Sequence, residues 1–200
     1  EYKNIKYTHE TKPLGTAGSL KLIKKNTNLP IIITNGDTIL NINFSNLKDN
    51  SRILDAGCGS GRDTKFFMSL GYDVHAMDAS KKLAALASDY ICQPVTVSTF
   101  KDFKSGVLFD GIWACASLLH VPKQDLFNSF ANLSSLLKPT GFFYCSFKYG
   151  TGSVNRGGRH FTDLNELNLK LLIEKVDLEA DYIWITADAR RGRESEQWIH

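Results

Sequence analysis

The chain has 200 residues, 42% hydrophobic and 22% charged, with a formal net charge of +3. Such a composition supports a sizeable core in one domain with room for an appendage, which excludes a disordered chain; its scattered Lys and Arg form no stripe of the kind nucleic acid requires. No apolar run reaches the ~18 residues of a membrane span, and the four cysteines stand singly, without Cys-x-x-Cys or other metal-ligand spacing, so a cytoplasmic protein with no membrane or nucleic-acid partner and no metal is expected.

In residues 1–47, Gly18 to Lys25 suits a short helix around Leu20, Leu22 and Ile23, and Leu29 to Thr34 an apolar strand. A segment this small buries too little surface to fold alone. It is expected to dock on the rest of the chain, or to add its strand to a sheet edge of the same or a partner chain, with a homodimer as one outcome.

From Arg52 onward short apolar runs alternate with amphipathic stretches. Strands are expected over Arg52 to Ala56, Asp73 to Asp78, Pro94 to Thr99, Phe109 to Ala114, Gly141 to Phe147 and Tyr182 to Thr186, with Gln197 to His200 starting another. Helices are expected over Gly61 to Leu70, Ser80 to Tyr90, Lys123 to Leu137 and Asp163 to Lys175. The third carries Leu126, Phe127, Phe130, Leu133, Leu136 and Leu137 at helical spacing before Pro139 and Gly141. The fourth opens on Thr162 and Asp163, with Glu166 placed for a capping box. The alternation predicts an α/β fold, a Rossmann-like, doubly wound and mostly parallel sheet over residues 48–200, with ligands at the carboxyl ends of its strands.

The chemistry concentrates where the first of these strands ends. Asp55, Gly57, Gly59 and Gly61 alternate through a strand-to-helix turn, so side chains are missing where a ligand lies against backbone and a carboxylate stands at the strand end. Asp78, 21 residues after Gly57, closes the second strand, where an acid accepts from ribose hydroxyls. A dinucleotide fingerprint needs its third glycine one position later, where this chain has Arg62. An adenosine-type ligand without a pyrophosphate is therefore the expectation, against a glycine-rich turn that binds nothing.

Beyond the fourth strand, His120 is the candidate base or acceptor contact; the bland reading makes it a cap of the helix that follows at Lys123, or a side chain bonded to backbone. Cys115 has apolar flanks that disfavour a thiolate and is expected to pack. The polar segment from Lys148 to His160 reads as an acceptor-binding lid whose Tyr149, Arg159 and His160 suit an anion, or as a solvated connection. The Arg190, Arg191 and Arg193 cluster reads as a solvated turn.

The blocks Leu54 to Asp63, Ala76 to Ser80, Asp110 to Pro122, Leu137 to Pro139, Ser146 to Gly150 and Arg159 to Thr162 resemble small bacterial class I S-adenosylmethionine-dependent methyltransferases of the tellurite-resistance type. The resemblance implies S-adenosylmethionine as cofactor. It places Asp55, Ala56, Gly57, Cys58, Gly59 and Gly61 along the methionine portion and Asp78 with Ala79 at the ribose. Asp102 and Phe103 meet the adenine, and Ala114 to Ser117, with Cys115 among them, line the floor beneath the sulfonium; Ser117 joins Tyr149, Arg159 and His160 of the lid segment as the candidate contacts of a small-molecule acceptor. The family also ends on an antiparallel strand.

Residues Tyr7 to Leu20 and Pro30 to Asp37 are similar to sugar-phosphate nucleotidyltransferases of the mannose-1-phosphate guanylyltransferase type, in which the acid at Asp37 binds magnesium. The glycine-rich triphosphate loop and sugar-binding half of that family are missing, so residues 1–47 read as a remnant that points to surface-polysaccharide metabolism. The sequence thus predicts methyl transfer to a sugar or polysaccharide precursor or to a metalloid oxyanion. A catalytically silent cofactor-binding module and a residual nucleotidyltransferase are the alternatives.

Overall fold

The computed structural model describes residues 47–48, 50–188, 193 and 195–200. The helix and strand expected in residues 18–34, the acid Asp37, and Arg190 with Arg191 lie outside the described residues.

Five strands form a parallel sheet: β1 (Arg52–Ala56), β2 (Asp73–Asp78), β3 (Thr96–Val97), β4 (Phe109–Ala114) and β5 (Leu137–Cys145), in the order β3-β2-β1-β4-β5. The helices α1 (Arg62–Ser69), α2 (Lys81–Ile91) and α3 (Lys123–Ser134) make the crossovers. A 3-10 turn at Leu118–His120 leads from β4 into α3. The order places β1 and β4 at the centre, so their ends share one cleft, as the Rossmann-like expectation requires.

The central strands are buried on both faces. Leu54, Ala56, Ile112 and Ala114 pack with Phe130, Leu133 and Phe147, while Ile53 and Trp113 pack with Phe67 and Tyr144. Strand β6 (Phe147–Lys148) follows β5 after one residue and pairs antiparallel with β10 (Gln197–Ile199), which also pairs with β9 (Ile185–Ala187). The expected closing antiparallel strand is therefore present. Lys148 is buried beside it between Asp188, at 2.6 Å, and Glu196, at 2.6 Å, with its ammonium 4.1 Å from the Trp198 ring.

Several expected boundaries are corrected. Helix α3 stops at Ser134, and Leu137 instead begins β5, because Leu137 pairs with Phe109 before the register shifts and the next pair joins Gly111 to Phe142. The residues between, including Pro139, are accommodated in that irregularity rather than as a helix stop. Of the strand expected over Pro94 to Thr99 only Thr96–Val97 pairs, and that expected over Tyr182 to Thr186 is displaced to Ile185–Ala187. The last helix, α4 (Glu166–Glu174), is capped by Asn165, whose side chain accepts from the Asn168 N–H; Thr162 and Asp163 belong to a strand, so no capping box forms.

The segment expected as a lid or solvated connection is an antiparallel hairpin, β7 (Gly152–Arg156) and β8 (Arg159–Asp163), turned by Gly157 and Gly158 at φ of 56° and 75°. Two successive positive φ values are what a twist-matched two-residue hairpin turn needs. Among the described residues no helix is long and apolar enough to cross a membrane, and no group of three His, Cys, Asp or Glu is placed to hold a metal ion.

Candidate active site

The end of β1 is held in shape by its neighbour β2. The N–H groups of Gly57 and Cys58 both donate to the Met77 carbonyl, at 2.9 and 3.0 Å, and the Gly59 N–H donates to Asp78 Oδ2 at 2.9 Å. Asp78 Oδ1 accepts from the Ser80 N–H at 2.8 Å, and Ser80 in turn caps α2. Each carboxylate oxygen accepts more than one hydrogen bond, so Asp78 keeps capacity for a ribose after ordering the loop.

The three glycines differ in role. A Cβ on Gly57 lies 2.5 Å from Ser117 Cβ, because Ser117 is anchored across the cleft by its hydroxyl donating to the Ala56 carbonyl at 2.7 Å. A Cβ on Gly61 lies 3.1 Å from Ala87 Cβ and 3.0 Å from Ile91 Cγ2. Gly61 is therefore a helix-packing position, where α1 starts against α2. Only at Gly59 does a Cβ project into open space, with no atom within 4 Å. That is the position where a ligand can approach the backbone.

Asp55 is buried beneath the loop and accepts from the Thr64 hydroxyl at 2.6 Å. Burial, reinforced by the neighbouring Asp63 charge, pushes its carboxyl up to about 7. Asp63 is itself engaged by Arg62, at 2.7 Å, and by the Trp113 indole, at 3.0 Å. Burial likewise pushes the Cys58 and Cys115 thiols up to about 12, which makes them neutral packing groups as expected of Cys115. Ala114 is fully buried; Ala79 is exposed between Asp78 and Ser80.

Asp102 is exposed and accepts from the Thr99 hydroxyl at 2.5 Å. Phe103 is buried in the main core, and the Asn132 side chain donates to the carbonyls of Phe100 and Phe103 at 2.7 and 2.9 Å. The residue this loop brings against the glycine turn is Phe100, whose ring lies 3.2 Å from where a Gly57 Cβ would be. The sequence reading missed Phe100; its position directly after Thr99, where the expected third strand ended, was the only signal.

On the acceptor side, His120 Nδ1 lies 2.8 Å from the carbonyl of His160, and its ring meets Phe161 edge-on at 4.7 Å. Partial burial lowers the His120 pKa below its ordinary value, against the raising effect of its bond to the His160 carbonyl and with the charges of Arg159 and His160 adding to the lowering. His160 Nε2 lies 3.1 Å from the Thr162 hydroxyl. Arg159 is exposed, whereas Arg156 is paired through both guanidinium nitrogens with Asp163. Tyr149 donates its hydroxyl to Glu166 at 3.1 Å. His120 and His160 are thus in contact, with Arg159 near enough to act on the His120 ring. A separate groove of about 780 Å³ between β5 and residues 177–184 contains none of the glycine-turn residues.

Residues 54–145 match the methyltransferase domain family. No curated protein matches the chain in sequence. Among solved structures, 1,6-didemethyltoxoflavin-N1-methyltransferase from Burkholderia thailandensis, with bound 1,6-didemethyltoxoflavin and S-adenosylhomocysteine, superposes with a TM-score of 0.62. It is 22% identical, over 78% of this chain and 71% of that one. A SAM-dependent methyltransferase from Methanosarcina mazei gives a TM-score of 0.67 at 19% identity, over 78% and 92% of the two chains. A TehB-like SAM-dependent methyltransferase from Corynebacterium glutamicum gives 0.57 at 18%, over 78% and 80%. The fold is shared with these structures.

Proposed function

We propose that the protein transfers the methyl group of S-adenosylmethionine to an anionic small-molecule acceptor, of the sugar-phosphate type, held between His120 and the β7–β8 hairpin. The observation that carries the reading is the Gly59 turn, open to the cleft and fastened through its N–H to Asp78. In this reading Asp55, Ala56, Gly57, Cys58 and Gly59 line the methionine portion, Asp78 and Ala79 hold the ribose, and Phe100 with Asp102 and Phe103 flank the adenine. Ala114 and Cys115 form the floor.

S-adenosylmethionine supplies a methyl carbon made electrophilic by its sulfonium. The chain's own contribution is alignment of the nucleophile with that carbon, which is where most of the acceleration of an in-line displacement originates. A hydroxyl acceptor must also lose a proton, and neutral His120 takes it at Nε2. Arg159 and His160 attract the acceptor's negative charge, and Ser117 borders its approach. The resemblance of residues 1–47 to sugar-phosphate nucleotidyltransferases favours a phosphorylated sugar over a metalloid oxyanion.

Calorimetry with S-adenosylhomocysteine tests the cofactor site, and release of that product from S-adenosylmethionine with mannose 1-phosphate, glucose 1-phosphate or selenite tests the acceptor class. His120→Gln is expected to lower turnover of a hydroxyl acceptor by about a hundredfold, within the usual range for a general base, with unchanged affinity for S-adenosylhomocysteine. Binding without methylation of any of the three acceptors counts against the anionic-acceptor reading and favours a silent cofactor-binding module.

A further inference from the structure

A carbonyl oxygen only accepts, so the 2.8 Å contact between the His160 carbonyl and His120 Nδ1 requires the hydrogen on Nδ1. In a neutral imidazole the lone pair then belongs to Nε2, the state a base needs. Three contacts hold that carbonyl in place. Thr162, fully buried on the same strand, donates its hydroxyl to the Val121 carbonyl at 2.7 Å, immediately after His120. Asp163 and Arg156 staple the two strands of the hairpin, and the Arg156 guanidinium lies 5.2 Å from the Phe161 ring that abuts His120. Besides the contacts of the His120 ring with the His160 carbonyl and Phe161, the Thr162 bond ties the hairpin to the main chain that carries His120.

We propose that Thr162 is a positioning residue that fixes the tautomer and orientation of His120 by latching the β7–β8 hairpin to the carbonyl of Val121. The same hydroxyl has a second task. Its single hydrogen goes to Val121, so toward His160 it can only accept, which puts a hydrogen on His160 Nε2. One buried hydroxyl therefore sets the hydrogen positions of both histidines. Arg159 and His160, both on β8, are the cationic and titratable groups acting on His120. Both move with the hairpin when the latch opens.

The inference rests on reading His120 as the acceptor-side base, but its test does not depend on turnover. Nitrogen-proton correlation spectra of the His120 ring, recorded with bound S-adenosylhomocysteine, report which nitrogen carries the hydrogen. Wild-type protein is expected to show the Nδ1–H form almost alone. Thr162→Val keeps shape and β-branching but loses the donor; with about 1 kcal/mol of hydrogen bonding removed, the tautomer ratio is expected to shift by roughly fivefold toward Nε2–H. Thr162→Ser is expected to restore the wild-type spectrum. An unchanged spectrum in Thr162→Val, or a shift that serine fails to reverse, overturns the latch. If valine prevents folding, Thr162→Ala against Thr162→Ser makes the same comparison. A normal latch in a protein whose His120→Gln variant methylates at the wild-type rate would overturn the catalytic reading alone.

Discussion

Two glycines separated by one residue are expected to fail in different ways when a single methyl group is added. Gly57 sits at φ of 84°, and a Cβ there comes within 2.5 Å of Ser117 Cβ and 3.0 Å of its Oγ. Ser117 cannot rotate away without giving up its 2.7 Å bond to the Ala56 carbonyl. Left-handed backbone costs an L-residue about 1–2 kcal/mol, and overpacking a tight site about 1–3 kcal/mol, so Gly57→Ala should lose about 2–5 kcal/mol of a stability on the order of 5–15 kcal/mol. Gly59, at φ of 57°, carries only the backbone term, about 1 kcal/mol. Its new methyl points into open space and meets the cofactor instead. Urea unfolding should therefore separate the variants by at least 1 kcal/mol, with Gly57→Ala the less stable. Calorimetry with S-adenosylhomocysteine should show Gly59→Ala weakened by tenfold or more while still folded. Equal stabilities would refute the packing argument, and wild-type affinity in Gly59→Ala would refute the placement of the ligand.

Asp78→Ala removes the acceptor for the Gly59 and Ser80 N–H groups as well as for the ribose; at roughly 1.5–3 kcal/mol for a charge-assisted bond, affinity for S-adenosylhomocysteine should fall by about one to two powers of ten, and unchanged affinity in calorimetry would remove the residue from the site. Stability against pH should expose two opposed buried groups. Asp55, raised from 3.8 to about 7, holds a proton in the folded state that the unfolded chain has released, so its contribution falls as pH rises across that window. His200, lowered by burial from 6.5 to about 4, makes stability rise with pH between those values. Each has a slope of about 1.4 kcal/mol per pH unit where the windows overlap, so they largely cancel. Asp55→Asn should give stability that rises from pH 4 to 6.5 and His200→Gln stability that falls; urea titrations showing the same slope in both variants would contradict the two assignments.

The parallel core was legible because its signals are local and redundant. Apolar runs at β1, β2 and β4, each beginning or ending near an acid or glycine, define a strand-to-helix rhythm that no alternative packing satisfies. Boundaries set by long-range pairing were not. Leu136 and Leu137 continue the helical spacing of α3, yet Leu137 is claimed by Phe109 across the sheet, a partner 28 positions earlier that periodicity cannot see. The hairpin is a different failure. Arg156-Gly-Gly-Arg159 is a two-residue turn signal, but polar flanks without strict alternation made the segment read as a loop. Lys148, read as the start of that polar lid, is buried because Asp188 and Glu196 arrive from sequence 40 or more residues later.

The two halves of the site differ in legibility for a physical reason. A cofactor recognised largely through main chain leaves its mark in residues that permit a backbone shape, and Gly57, Gly59 and Asp78 carry that mark in order along the chain. The acceptor side depends on where side chains end. Tyr149 and Arg159 are equally plausible anion contacts in the sequence; in the fold the Tyr149 hydroxyl is engaged by Glu166, and nothing in the spacing of the two residues announces that bond. His120 shows the same limit more sharply. Its residue type marks it as a candidate, but its competence as a base depends on a main-chain carbonyl 40 residues away, held by a threonine hydroxyl that donates to the residue after His120. A carbonyl has no residue identity to read. The sequence can therefore nominate such a base, and only the packing of the hairpin can fix which of its nitrogens is free.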